Sequence, residues 1–309
     1  MTMTRAQFPD VFSSTAALAF LRQIISSGTK RRPEWFQDVF RVETTDQANE
    51  QYTSKANFGL FVETDEGAAV TYDEALQGFD RTLTPLQYSL GFKVTKVAID
   101  DDRKGVFSDQ ASDLGWGYTE SRNVMAADVF NNGFATILGS DGLPLFDTAH
   151  LHEDGSSFRN ELATSADFSI TSFRTAMVDF RNFRDGRGKR LNLMPEKILT
   201  SPDTWFDVAE VIQSPDRPDT AERAVNVSRG FFGGAPFTIL PPNDYLTDLD
   251  AWFLIGPKED HGLVFLEREK LTVLNDVDFE TRTLKTAAWA RWDVDWVNNG
   301  VGCYGSPGA

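Results

Sequence analysis

The chain has 309 residues, 41% of them hydrophobic, with 25 Phe, 7 Trp and a single cysteine, Cys303. That apolar content can fill one large or two medium cores, and one cysteine excludes an internal disulfide framework or a multi-cysteine metal site. Forty-six acidic against 30 basic residues give a formal net charge of −16, which argues against a sequence-independent nucleic-acid binder, because such proteins neutralise phosphate with Lys and Arg.

The N-terminus has no basic stretch followed by an apolar one, and no run approaches the roughly 20 apolar residues of a membrane helix. The chain therefore reads as soluble and made inside the cell. Thr15–Ser26 is predicted helical, with Gly28 as its stop. Phe40–Tyr72 reads as short strands in an irregular arm, and Asp73–Thr84 as a polar tip expected to touch neighbours. Leu86, Tyr88, Leu90, Phe92 and Val94 then alternate with Gln87, Ser89, Gly91, Lys93 and Thr95, a period-2 strand. Extended through Ile99, its fourteen residues reach about 46 Å at roughly 3.3 Å each, far beyond an ordinary strand. Its one-sided apolar face calls for another surface, supplied most simply by a second copy.

A helix is predicted from about Gly105 to Asn132, with Leu114, Tyr118, Met125, Ala126, Val129 and Phe130 as its apolar stripe. A second covers about Ser172–Arg184. Lys197–Thr200 reads as a buried strand, and Ser201-Pro202-Asp203 caps a helix to about Ile212. Further strands are expected at Gly234–Leu240, Ala251–Ile255 and Gly262–Phe265, with a very long one at about Thr281–Val297. On that last strand Leu284, Ala288, Ala290, Trp292, Val294 and Trp296 share one face, and Trp289 points the other way. Helices and antiparallel strands without a βαβ rhythm make the class α+β.

The order of these elements resembles the major capsid proteins of tailed bacteriophages, the Hong Kong 97-type fold, and most closely the phage Mu-type major head subunit family. The residues carrying the likeness run from about 35 to the end: Gly78-Phe79, Leu90–Thr95, Asp100-Asp101-Asp102 before the long helix, Asp141–His150, Ala251–Leu254 and Gly300-Val301-Gly302. The resemblance implies an N-terminal arm (1–39), an extended E-loop with flanking strands (40–102) and a peripheral (P) domain with its spine helix (103–185). An axial (A) domain (186–279) and a returning P-domain strand with a C-terminal tail (280–309) complete the division. It implies a non-enzymatic subunit that self-assembles as hexamers and pentamers into an icosahedral shell. That shell would enclose double-stranded DNA without binding it specifically, assemble in the host bacterial cytoplasm and end in the virion. Portal and decoration proteins are implied partners. Only about 40 residues precede the E-loop, so scaffolding is expected from a separate protein, or from a segment cleaved off ahead of this sequence.

No catalytic, cofactor or metal residue is assigned. The alternative is a metal-dependent hydrolase or metal-binding protein centred on His150 and His152, beside Asp147, Glu153 and Asp154, because His-x-His with nearby carboxylates suits zinc. The preferred reading makes these histidines ordinary residues of a polar turn whose loss leaves stability nearly unchanged. Asp100–Asp102 lacks EF-hand spacing and reads as carboxylates favouring the start of the next helix. Arg229–Gly234 lacks the Gly-Lys-Ser/Thr of a phosphate loop. The basic run Arg184, Arg187, Lys189, Arg190 reads as a solvated loop that serves subunit contacts more than DNA.

Overall fold

The structure, a computed structural model, describes residues 15–56, 58–101, 106–135, 137–215, 226 and 237–309. The first half holds α1 (Thr15–Thr29), α2 (Phe36–Val39), β1 (Arg41–Thr44), β2 (Glu50–Ala56), β3 (Leu76–Leu83), β4 (Leu86–Thr95), α3 (Lys96–Asp100) and α4 (Val106–Asn131). After these come β5 (His150–Leu151), β6 (Ser157–Phe158), α5 (Ile170–Arg181), β7 (Lys197–Thr200), α6 (Pro202–Gln213) and β8 (Thr238–Ile239). The chain ends with β9 (Trp252–Ile255), β10 (Leu263–Asp278), β11 (Thr283–Trp296) and β12 (Cys303–Ser306).

The larger sheet has the order β1-β10-β11-β4. β10 and β11 form a long antiparallel hairpin from Leu263↔Trp296 to Asp278↔Thr283, and β11 pairs on its other side with β4. Along β11 the alternation predicted from sequence holds: Leu284, Ala288, Ala290, Trp292 and Trp296 are buried. They meet α4, whose Ala126, Val129 and Phe130 share a core with Trp292, Trp296, Phe36, Phe40 and Phe265. The smaller sheet, β12-β9-β7-β8, carries α5 and α6 over a second core built on Phe173, Phe180, Val208, Trp252 and Tyr304. Both helices start as their sequences dictate. Ser169 and Ser172 form a reciprocal capping box, and the Ser201 hydroxyl accepts from the Thr204 amide ahead of Pro202, so the first-turn donors are satisfied.

Three expectations are corrected. Lys96–Ile99 does not prolong the strand: the Thr95 hydroxyl accepts from the Ala98 amide at 3.3 Å and caps the short helix α3, so β4 stops at ten residues. Nor does β4 jut outward, since every residue from Leu86 to Thr95 is registered against β11. The final residues are not a tail, for Cys303–Ser306 pair with Trp252–Ile255 and are fully buried.

Gly28 is also reassigned. It lies inside α1, where a Cβ would run into the Ser112 carbonyl of α4, and Gly115 of α4 faces the Ile25 carbonyl of α1 in the same way. The two glycines let the helix backbones cross in contact, which no larger residue would permit.

Candidate functional site

The segment that leaves the body is the β2–β3 hairpin. Its strands pair from Glu50↔Leu83 to Ala56↔Leu76 with a slip between Thr53 and Lys55. The connection, residues 58–75, carries the most exposed cluster of large apolar side chains in the described structure: Phe58, Leu60, Phe61, Val62, Val70 and Tyr72, with Phe61 at 107% and Tyr72 at 92%. It also carries Glu63, Asp65, Glu66, Asp73 and Glu74 and no basic residue. The tip is thus apolar and acidic and precedes the predicted polar tip at Asp73–Thr84, most of which is the return strand β3. The signal is present in the sequence: Phe58-Gly59-Leu60-Phe61-Val62 is an apolar run followed by Glu63, Asp65, Glu66 and Gly67.

The root of this arm is fixed firmly. Leu83 is buried with Val264, Leu266 and Val297. Arg81 donates through Nε to Asp295 at 2.7 Å and through Nη1 to the Leu138 carbonyl at 2.9 Å. The Thr84 amide donates to Asp293 at 2.8 Å. Burial pushes both aspartates above the usual carboxylate range, against the pull of Arg81. Tyr52 donates to Glu43 at 2.5 Å, tying β2 to β1, and burial followed by that carboxylate raises its phenol.

The basic run is not a free solvated loop. Arg184 and Arg190 bridge an antiparallel turn, and Arg187 and Lys189 donate to the arm at Asp73 and Phe58.

The three histidines are scattered in role. His150 and His152 flank Leu151 at the β5–β6 hairpin and are 0% and 6% exposed, so the expectation that these polar-turn residues can be lost with stability nearly unchanged is corrected. His150 lies between two acceptors: Nδ1 is 2.7 Å from Asp141 Oδ2, and Nε2 is 3.2 Å from the Leu145 carbonyl. Both ring nitrogens are engaged. His152 stacks on Phe158 at 4.4 Å, and burial lowers its pKa. Among the described residues, no three His, Cys, Asp or Glu side chains are grouped to hold a metal.

His150→Ala is therefore expected to destabilise the fold. It strands the Asp141 carboxylate, which is 0% exposed, and leaving a buried charge unpaired costs about 3–5 kcal/mol. A urea midpoint unchanged from wild type would refute this.

His261 is 1% exposed and accepts from the Leu263 amide at 3.2 Å. Burial, then Lys197, Arg41 and Lys258, lower its pKa to about 4. The folded ring stays neutral while the unfolded chain takes up a proton below about pH 6.5. Its contribution is complete above that pH and declines towards pH 4, by about 3 kcal/mol in all. His261→Asn should flatten the fall in urea stability between pH 7 and pH 4.5; an identical slope would show that His261 is not its source.

Asp100 ends α3 paired with Lys96 at 3.6 Å, whereas Asp102 and the Gly-rich Arg229–Gly234 lie outside the described residues. Trp292 and Trp296 pack into the core, and Trp289 points oppositely and donates to Glu269. Cys303 is buried, its thiol raised by that burial. No helix among the described residues is long and apolar enough to cross a membrane.

A long helix on a hairpin-based sheet, a second small sheet and a protruding two-stranded arm define a shell-forming class of protein, the Hong Kong 97-type capsid fold. The capsid of cyanophage P-SCSP1u matches at 9% identity with a TM-score of 0.55, over 89% of this chain and 88% of that one. The capsid of an empty GTA particle matches at 12% identity and 0.55, over 88% and 89%. Mycobacterium phage Adephagia matches at 12% and 0.52, over 99% and 98%. The chain belongs to the phage capsid protein family, whose model matches residues 80–304. No curated protein matches it.

Proposed function

We propose that the chain is the major head subunit of a phage-type particle, assembling as hexamers and pentamers into an icosahedral shell around double-stranded DNA. The observation that carries this is the arm: a firmly rooted hairpin that holds six large apolar side chains in solvent, where a monomer gains nothing from them. Burying such a tip on a neighbouring copy, repeated around closed rings, builds strong association from modest contacts. The function is geometric rather than catalytic.

Within that reading, residues 40–85 serve as the E-loop, shorter than the 40–102 that the resemblance implies because β4 is registered against β11, with 1–39 as an N-terminal arm, α4 as the spine and the β12-β9-β7-β8 layer as the core of the axial domain. The full-length pairing of β10 with β11 favours counting 263–279 with the peripheral domain rather than with 186–262. Membership of the Mu-type subgroup, assembly in the host cytoplasm, a separate scaffolding protein, a portal and a decoration protein belong to the same proposal. A charge of −16 per chain, multiplied over a shell, gives a wall that repels phosphate and lets packaged DNA move. Negative-stain microscopy with sedimentation of purified protein tests the reading. Megadalton shells or hexameric capsomers support it, and a stable small oligomer at high concentration refutes it.

A further inference from the structure

The arm touches its own chain at a second place, beyond its root. Asp73 sits where the tip returns to β3. Its Oδ2 accepts from the Gly59 amide at 2.7 Å, joining the two legs of the tip. Arg187 Nη1 lies 2.9 Å from both Asp73 oxygens, and its Nη2 donates to the Glu74 carbonyl. Lys189 Nζ donates to the Phe58 carbonyl, on the other leg, at 2.5 Å. Both legs are therefore held by one turn.

That turn is itself built for the task. The Asp185 side chain accepts from the amides of Arg187 at 3.0 Å and Lys189 at 2.9 Å. Its amide donates to the Lys189 carbonyl at 2.8 Å. Gly188 takes φ +75° to close the loop, a conformation costly for other residues. Burial opposes ionisation of Asp185, yet the Lys189 and Arg187 amides hold its carboxyl below the usual range. Glu153 fills the space that a Cβ on Gly78 of the arm or Gly186 of the turn would occupy, so arm and turn meet closely. Arg187 is 21% exposed and Asp73 40%, and because Nη1 holds the carboxylate while Nη2 holds the Glu74 carbonyl, the planar guanidinium fixes the direction of the neck as well as its distance.

We propose that the turn around Arg184–Arg190 is a clasp: Arg187 and Lys189 close the neck of the arm and set the direction in which its tip is presented to a second copy. This rests on the shell-subunit reading. Arg187 acts as a positioning residue, since the exposed tip beyond the clasp makes the contact with the neighbour. Pre-setting the tip removes part of the ordering cost of association, and the gain recurs at every arm of the shell.

The test compares wild type, Arg187→Ala, Asp73→Asn and the double variant, all full length. Hydrogen exchange of the amides in 58–74 reports the clasp in unassembled subunits, and light scattering gives the threshold concentration for assembly. Each single change should speed exchange in that segment and raise the threshold about fivefold, and the double variant should do no more than either single. The melting temperature should stay close to wild type, because the pair is partly exposed. Arg187→Lys, which keeps the charge without the second prong, should fall between. Unchanged exchange and threshold in the single variants would overturn the clasp, as would effects that multiply in the double variant. If wild type forms no particles, the shell reading fails, and exchange alone decides the clasp.

Discussion

Replacing residues 60–72 with a short Gly-Ser turn should leave a folded subunit that forms no shells. Five of the exposed apolar side chains, Leu60, Phe61, Val62, Val70 and Tyr72, lie in that stretch, and burying each is worth about 1.5–3 kcal/mol. Their sum, roughly 10 kcal/mol, is reduced by ordering the tip and immobilising the partner. What remains is still enough to move an association constant by several powers of ten. The replacement spares β2 and β3, the Arg81–Asp295 pair and the buried Leu83. Circular dichroism and melting should therefore match wild type, while microscopy and sedimentation show monomers or capsomers only. Removing Gln77–Thr84 instead would delete β3 and Arg81 and unfold the root, so it could not distinguish a lost contact from a lost fold. Shells of normal size from the 60–72 replacement would show that the tip is not the joining surface.

Much of the body was legible in the sequence because its elements obey simple periods. The helix expected at 105–132 is α4 at Val106–Asn131, the strand expected at 281–297 is β11 at Thr283–Trp296, and Ser201 with Pro202 opens α6. What escaped detection is structure fixed by distant partners. Only Gly262–Phe265 of β10 reads as strand in the sequence, because Glu267, Arg268, Glu269 and Lys270 interrupt the apolar pattern, and in the structure the register slips twice there. Those polar residues have uses that only the fold reveals: Glu267 faces Arg122 and Glu269 accepts from Trp289. The strands of the arm are polar on both faces, so they carry no period-2 signal. Cys303–Ser306 contains a glycine and becomes a strand only by pairing with β9. Lys96–Ile99, rich in strand-forming residues, yields to a helix cap at Thr95. The site was half visible. The resemblance implies an extended arm within 40–102, whereas its apolar tip and its neck contacts lie in side chains that composition alone could not pair.

Arg122 offers the sharpest test of the body itself. It lies in the middle of α4, one helical turn after Tyr118, where the sequence pattern would place an apolar residue. Its side chain is only 8% exposed and reaches Glu34 at 2.9 Å and Glu267 at 3.5 Å. Nη1 also donates to the Tyr118 hydroxyl at 2.6 Å. The guanidinium lies 4.8 Å from the Phe265 ring, 5.0 Å from Tyr118 and 5.1 Å from Phe36. Burial pushes the Tyr118 phenol up to about 12, which keeps it neutral at any physiological pH. One cation thus joins the linker before α2, helix α4 and β10, and it is paired with both carboxylates. Arg122→Ala removes it and leaves Glu34 and Glu267 facing each other in a poorly solvated space. The expected cost is about 3–5 kcal/mol, a fall in melting temperature of roughly 10 °C for a chain of this size. The cause lies in the stranded charges rather than in the missing packing. The triple change Arg122→Met, Glu34→Gln, Glu267→Gln should therefore recover most of the loss, because a buried ion pair replaced by neutral groups of similar shape is often harmless. Calorimetry of the two variants decides the matter. If the triple variant melts as low as Arg122→Ala, the cluster stabilises the fold through its own hydrogen bonds and stacking rather than by cancelling buried charge.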